Sequence, residues 1–319
     1  MTDNSSCKVA FIGAGYMTSE HLKVFQDMPR VDLCGIYSRT KDRAAKLAHD
    51  FSVPNVSISI GELYEKTKAN LVVISVPELS VRDVCLEAFK YPWVCLIEKP
   101  AGYNLADADC ILRAAVANKR QAFVALNRRH YSSTRTVLDD IAKHTGPRLI
   151  HLYDQEDQTA ARNAGQPELV VQNWMYANSI HMVDYLSILG RGQITAIDHV
   201  IPWSRIKPCF VLTKITYDSG DVGIYEAVWN GPGPWAVTLT TQEKRWELRP
   251  LEQALFQTYG SRKLELVPTN EWDTKFKPGL RVQAGEAVKA VFGKPHTLPS
   301  LEDAMMSMRL VYAIYGSGF

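Results

Sequence analysis

Through the first 126 residues the apolar positions fall into two alternating periods. Short apolar runs at residues 8–13, 31–38, 71–76, 93–98 and 121–126 read as strands. The run at 71–76 is almost continuous Leu, Val and Ile, as expected of a strand covered on both faces. Helical patterns lie between them at 18–28, 41–51, 80–89 and 105–118. In the first, Leu22, Phe25 and Met28 share a face; the last is preceded by Asn104, a natural N-cap. Strand–helix alternation on short links predicts an α/β unit with a doubly wound parallel sheet.

After residue 127 the texture changes. A helix at 131–144 leads into alternating runs at 148–158, 194–201, 209–217, 221–229 and 235–242, with one helix at 180–189 among them. Ser219-Gly220 marks a hairpin turn between two such runs. The expectation is an α+β unit with a large, mainly antiparallel open sheet and helices on one face. Helices at 282–292 and 301–315 close the chain, and the predicted domains are 1–126 and 127–319.

Composition narrows the functional classes. A length of 319 residues suits two cores. With 46% apolar and 22% charged residues, no segment has to be disordered. A net charge of +2 gives no broad basic face for nucleic acid. The apolar runs are far too short to span a membrane, and the opening Met-Thr-Asp-Asn-Ser-Ser lacks a secretory pattern, so the expected location is the cytoplasm. The six cysteines show no zinc-clip spacing and read as buried free thiols; no metal site is expected.

The chemistry begins at VAFIGAGYMTS. Gly13 permits a tight turn after the first strand, Gly15 lets the backbone approach a pyrophosphate, and Tyr16 and Met17 open a helix whose free N–H groups favour phosphate. The third position of this fingerprint is Thr18 rather than Gly or Ala. An acid at the end of the second strand would hold ribose hydroxyls and repel a 2′-phosphate. The chain has Ser38, Arg39 and Thr40 there, followed by Lys41 and no acid before Asp42, so NADP is the expected cofactor and NAD the alternative.

Glu98-Lys99-Pro100 ends a buried strand, where ligands of such sheets sit. With the Gly-x-Gly start, this tripeptide resembles the glucose–fructose oxidoreductase/inositol dehydrogenase/MocA (Gfo/Idh/MocA) family, whose first domain is a Rossmann fold. Ser75-Val76-Pro77, Asn127-Arg128-Arg129 and residues 279–292 are similar to the family as well. The resemblance implies that Lys99 is the active-site lysine, that the Lys99–Pro100 peptide is cis, and that Lys99 exchanges a proton with the substrate oxygen as hydride moves at the nicotinamide. It implies cofactor contacts at Ser75, Pro77, Glu98 and Asn127, although Glu98 also reads as a structural partner of a basic group. His181 fits the family histidine at the start of a helix. The usual aspartate one turn earlier is Ala177, and a histidine often found after Pro77 is Val81. Lys99 and His181 are then the acid/base pair, with Arg128, Trp174 and Asn178 as further substrate contacts and Asp184 structural. The implied function is oxidoreduction of a hydroxyl or carbonyl carbon in a sugar, polyol or sugar derivative by a homodimer or homotetramer joined through the open sheet face. A reductase of imines or conjugated double bonds and a non-enzymatic NADP-binding regulator are the rival readings.

Overall fold

The computed structural model describes residues 6–316, and the five opening residues, most of the segment read for a leader, lie outside it. The chain divides into two compact units, Met1–Asn127 with Lys275–Met305, and Arg128–Thr274 with Met306–Phe319.

The first unit follows the predicted alternation: β1 (Cys7–Ile12), α1 (Tyr16–Gln26), β2 (Val31–Tyr37), α2 (Lys41–Asp50), β3 (Val56–Ser57), α3 (Ile60–Thr67), β4 (Leu71–Ile74), α4 (Glu78–Ala88), β5 (Val94–Glu98), α5 (Leu105–Ala117) and β6 (Ala122–Ala125). The sheet has strand order β3-β2-β1-β4-β5-β6, with every pairing parallel. β1 lies between β2 and β4, so the order reverses there and leaves a crevice at the strand ends. β3 and α3 were not in the predicted set, although Ser59-x-x-Glu62 is a capping signal: Ser59 Oγ accepts the Glu62 N–H at 3.0 Å, and Glu62 Oε2 accepts the Ile58 N–H at 2.6 Å.

The second unit holds α6 (Ser132–Ile141), β7 (Leu149–Glu156), α7 (Gln158–Asn163), α8 (Glu168–Gln172), α9 (Ile180–Leu189), β8 (Ile194–Ile201), β9 (Phe210–Tyr217), β10 (Val222–Trp229), β11 (Ala236–Thr240), β12 (Lys244–Leu248), β13 (Ala254–Thr258), β14 (Glu265–Val267) and most of α10 (Glu271–Lys275). Its sheet runs β14-β13-β12-β11-β7-β10-β9-β8, antiparallel except for β7 beside β10. The predicted hairpin joins β9 to β10, with Gly220 at φ +84°. Apart from the exposed Leu149, β7 and β10 alternate strictly between buried and half-buried residues, as a sheet covered on one face should.

One boundary at 126/127 does not describe this division and needs correction. α11 (Leu280–Val291) places Leu280, Ala284, Ala287 and Ala290 in the same core cluster as Val9, Phe11 and Leu96 of the parallel sheet. Leu301 and Ala304, which open α12 (Leu301–Tyr315), join the other cluster of that unit beside Ile111 and Val124. Burying these two apolar stripes returns residues 275–305 to the first unit, and the boundary crosses α12 at Met305/Met306.

Candidate active site

The glycine turn is built against β4. Gly13 has φ +115°, and a Cβ there would lie 1.8 Å from the Ser75 carbonyl oxygen. The Gly13 N–H donates to Tyr37 O and the Ser75 N–H to Ile12 O, both at 2.8 Å, so the turn is tied to the ends of β2 and β4. Gly15 is the N-cap of α1, and nothing lies within 4 Å of where its Cβ would be. Open space over a helix N-terminus with unpaired first-turn N–H groups suits a pyrophosphate. α1 starts at Tyr16 rather than 18, so Tyr16 and Met17 contribute those N–H groups; the Tyr16 ring is 68% exposed. Thr18 is fully buried, and its hydroxyl accepts the Gly15 N–H at 3.3 Å. That side chain fills the third fingerprint position without disturbing the turn.

Ser38, Arg39 and Thr40 form the loop after β2. Ser38 Oγ accepts the Thr40 N–H at 3.2 Å, which shapes the loop. Arg39 is exposed and donates from Nη2 to Ser80 Oγ at 2.9 Å. Its guanidinium reaches from the β2 end to the first turns of α4 with a neutral partner, and among the described residues no carboxylate pairs with it. Ser75 is buried, Pro77 is the exposed N-cap of α4, and Val81 is buried in the core.

At the end of β5, Glu98 is buried and its Oε1 meets His21 Nε2 of α1 at 2.7 Å. The basic partner expected for Glu98 is thus His21, whose ring is 1% exposed. Lys99 follows, half-buried, and the Lys99–Pro100 peptide is cis. Asn127 is buried and donates from Nδ2 to Pro278 O at 3.0 Å, so it fastens the segment before α11 to the end of the parallel-sheet unit. The structure therefore brings Gly13, Gly15, Tyr16, Met17, Ser38, Arg39, Ser75, Pro77 and Lys99 to the ends of adjacent parallel strands.

The remaining residues belong to the second unit. Arg128 is buried, with its guanidinium carbon 4.5 Å from the Trp235 ring centre and Nη1 3.1 Å from Met182 Sδ. His181 is the second residue of α9 and half-buried. α9 is preceded by one π-helical turn over Met175–Ser179, a feature sequence reading did not supply. Trp174 precedes that turn; its Nε1 and the Tyr176 hydroxyl are buried with no hydrogen-bond partner among the described residues. Asn178 donates from Nδ2 to Glu156 Oε2 at 2.9 Å. Asp184 is structural, as read: it takes two bonds from Arg129, at 2.8 and 2.7 Å, and one from Ser307 Oγ at 2.6 Å. Beneath the π turn, Asp154 and Glu156 of β7 are buried, and neither was among the predicted site residues.

Comparison with known proteins agrees with this architecture. Residues 7–126 match the model of the oxidoreductase family GFO_IDH_MocA, described as having an NAD-binding Rossmann fold. An uncharacterized oxidoreductase of Escherichia coli K12, YgjR, is 28% identical over 121 residues, which is 37% of this chain and 36% of that protein. The 4-carboxy-2-hydroxymuconate-6-semialdehyde dehydrogenase of a Sphingobium species is 20% identical over 185 residues, 56% of this chain and 57% of that one. The chain thus spans between a third and three fifths of the length of these curated relatives. A levoglucosan dehydrogenase in complex with NADH and levoglucosan shares the fold over 98% of this chain and 97% of its own, with a TM-score of 0.82 at 16% identity. Over residues 7–126, the chain is similar to the Gfo/Idh/MocA oxidoreductases in their NAD-binding Rossmann domain.

Proposed function

We propose that the protein is an NADP-dependent oxidoreductase acting on a hydroxyl or carbonyl carbon of a sugar, polyol or sugar derivative. The observation that carries this reading is the sharing of one sheet edge: the glycine turn at the β1/β4 crevice, Arg39 at the β2 end and Lys99 at the β5 end. The tight turn at Gly13, packed against the Ser75 backbone, with open space at Gly15, fits a dinucleotide's pyrophosphate. Tyr16 and Met17 would donate backbone N–H groups to it. Ser38, Arg39 and Thr40 would hold the 2′-phosphate, Arg39 through its planar fork. Ser75 and Pro77 would border the nicotinamide side.

When bound, the nicotinamide supplies or accepts hydride. Lys99 would take the proton of the substrate hydroxyl as that carbon is oxidised, and return it in the reverse direction. His181 would be the second proton-handling group, while Arg128, Trp174 and Asn178 would contact the substrate through donors and an aromatic face. A sugar-type substrate is supported by the sugar bound in the levoglucosan dehydrogenase of the same fold. Assembly as a dimer or tetramer through the sheet's open face is part of the proposal; Leu149 and Phe210, 50% and 54% exposed, lie on that face.

Titration of the purified protein with NADPH and NADH, read by nicotinamide fluorescence, tests the cofactor. NADPH should bind at least about tenfold more tightly, and Arg39→Ala should erase the difference, because a charge-assisted bond contributes about 1.5–3 kcal/mol. NADH preference in the unaltered protein overturns the NADP assignment. With a substrate from a sugar and polyol panel, Lys99→Ala should lower kcat by about 100-fold or more with cofactor affinity retained; undiminished turnover removes Lys99 from the mechanism.

A further inference from the structure

β7 alternates its faces, and residues 150, 152, 154 and 156 point to the covered one. The first two are Ile150 and Leu152; the next two are Asp154 and Glu156, 2% and 0% exposed. A carboxyl in such a place costs several kcal/mol unless it is hydrogen-bonded, so an acid here needs a task. Glu156 reaches two successive residues of the π turn: Oε2 accepts from Asn178 Nδ2 and Oε1 from Ser179 Oγ, each at 2.9 Å. Ser179 Oγ also lies 3.2 Å from Tyr315 Oη, which lies 2.6 Å from Tyr225 Oη, and Tyr225 donates to Asp154 Oδ2 at 2.6 Å. A chain of contacts within hydrogen-bond distance thus joins the two carboxyls through a serine and two tyrosines.

The turn that this chain supports needs it. A π-helical turn is a rare widening of the backbone and persists where surrounding groups hold it. The side chain of Ala177, in the middle of the turn, offers no hydrogen bond. Ser179 is followed by Ile180 and His181 at the start of α9. We infer that Glu156 is the positioning residue for His181, fixing through Asn178 and Ser179 the turn from which the histidine's helix starts.

The inference rests on His181 acting in proton transfer, but it makes its own structural claim. Burial, and after it the neighbouring Asp154, pushes the Glu156 carboxyl well above the usual carboxylate range, a shift that favours its neutral form. A glutamine has the same shape: its oxygen accepts from Asn178, and its NH2 donates to Ser179 Oγ, whose own hydrogen turns to Tyr315 Oη. Glu156→Gln should therefore preserve the turn and Glu156→Ala should break it, which separates hydrogen bonding at this place from mere filling of volume.

The test uses full-length protein with isotope-labelled histidine, with the His181 ring resonances assigned by their loss in His181→Asn. Unaltered protein and Glu156→Gln should give one sharp set of ring signals with the same titration midpoint. Glu156→Ala should give broadened or doubled signals and a displaced midpoint, while NADPH affinity in the first unit stays as before. Sharp, unshifted His181 signals in a folded Glu156→Ala protein overturn the proposal. Should that variant fail to fold, Asn178→Ala removes one of the two bonds at a half-buried site and must displace the same signals; no displacement there is equally fatal. Failure of the His181 assignment is seen separately, as full turnover in His181→Asn.

Discussion

Alanine at Gly13 and alanine at Gly15 should fail in opposite ways. At Gly13 the backbone sits at φ +115°, where a side chain costs about 1–3 kcal/mol. The new Cβ would also stand 1.8 Å from Ser75 O and 2.7 Å from Ser75 C, which are backbone atoms and cannot swing aside. Relief requires parting β1 from its neighbours at their ends, with loss of Gly13 N–H to Tyr37 O and Ser75 N–H to Ile12 O, about 1 kcal/mol each. The sum is about 3–5 kcal/mol, a fall in Tm of roughly 10 °C for a unit of this size. At Gly15, φ is −96° and the Cβ meets nothing. Alanine is a poorer N-cap than glycine by about 0.5–1 kcal/mol, so Tm should fall by only a few degrees. The methyl group would occupy the space over the helix N-terminus, and a lost bond to a charged phosphate weakens NADPH binding about tenfold to a hundredfold. Thermal melts and NADPH titrations of both variants decide the matter. Unaltered melting of Gly13→Ala would show that the turn is not pinned by Ser75. Unaltered binding by Gly15→Ala would remove the pyrophosphate from this site.

His21→Ala should lower stability by about 1–3 kcal/mol in denaturant titration, because it leaves the buried Glu98 carboxyl without its 2.7 Å partner. Burial pushes the Asp221 carboxyl up, but Arg191 and the backbone N–H of Arg148 outweigh it and hold it below the usual range. A carboxyl lowered by folding stabilises above its unfolded pKa, and that contribution is lost as pH falls through the folded value; Asp221→Asn should therefore be less stable at pH 7, with the gap closing below about pH 4. Burial, with Cys34 nearby, pushes the Cys7 thiol up to about 12, and burial drives Cys85 well up, whereas Cys209 is exposed. A thiol reagent at pH 8, followed by mass spectrometry, should label Cys209 in the native protein and Cys7 and Cys85 only after unfolding.

What could be read from the sequence is what depends on near neighbours. Gly13, Gly15 and Thr18 lie within six residues, and their chemistry fixes the turn wherever it occurs; Ser219-Gly220 and Asn104 are equally local. Pairings across the fold were legible only as needs. Glu98 required a basic partner, but His21 lies 77 residues away and nothing in α1 marks it. Residues 280, 284, 287 and 290 form an apolar stripe at helical spacing, yet a stripe does not say which sheet it covers, and it went to the parallel one. β12, β13 and β14 are three to five residues long, too short for alternation to register against Lys244, Arg245 and the turns between them.

The acids of β7 are a different case, because their signal was present. The run 148–158 shows strict alternation, and Asp154 and Glu156 carry the parity of Ile150 and Leu152 rather than that of His151 and Tyr153. Two acids at core parity contradict the pattern that defines the strand. Such contradictions gather where function outweighs local consistency. Glu156 accepts hydrogen bonds from Asn178 and Ser179, just ahead of His181 in the chain. A break in hydrophobic parity on one strand and a histidine at a helix start on another element thus point to the same place, and neither can be assigned from its own segment alone.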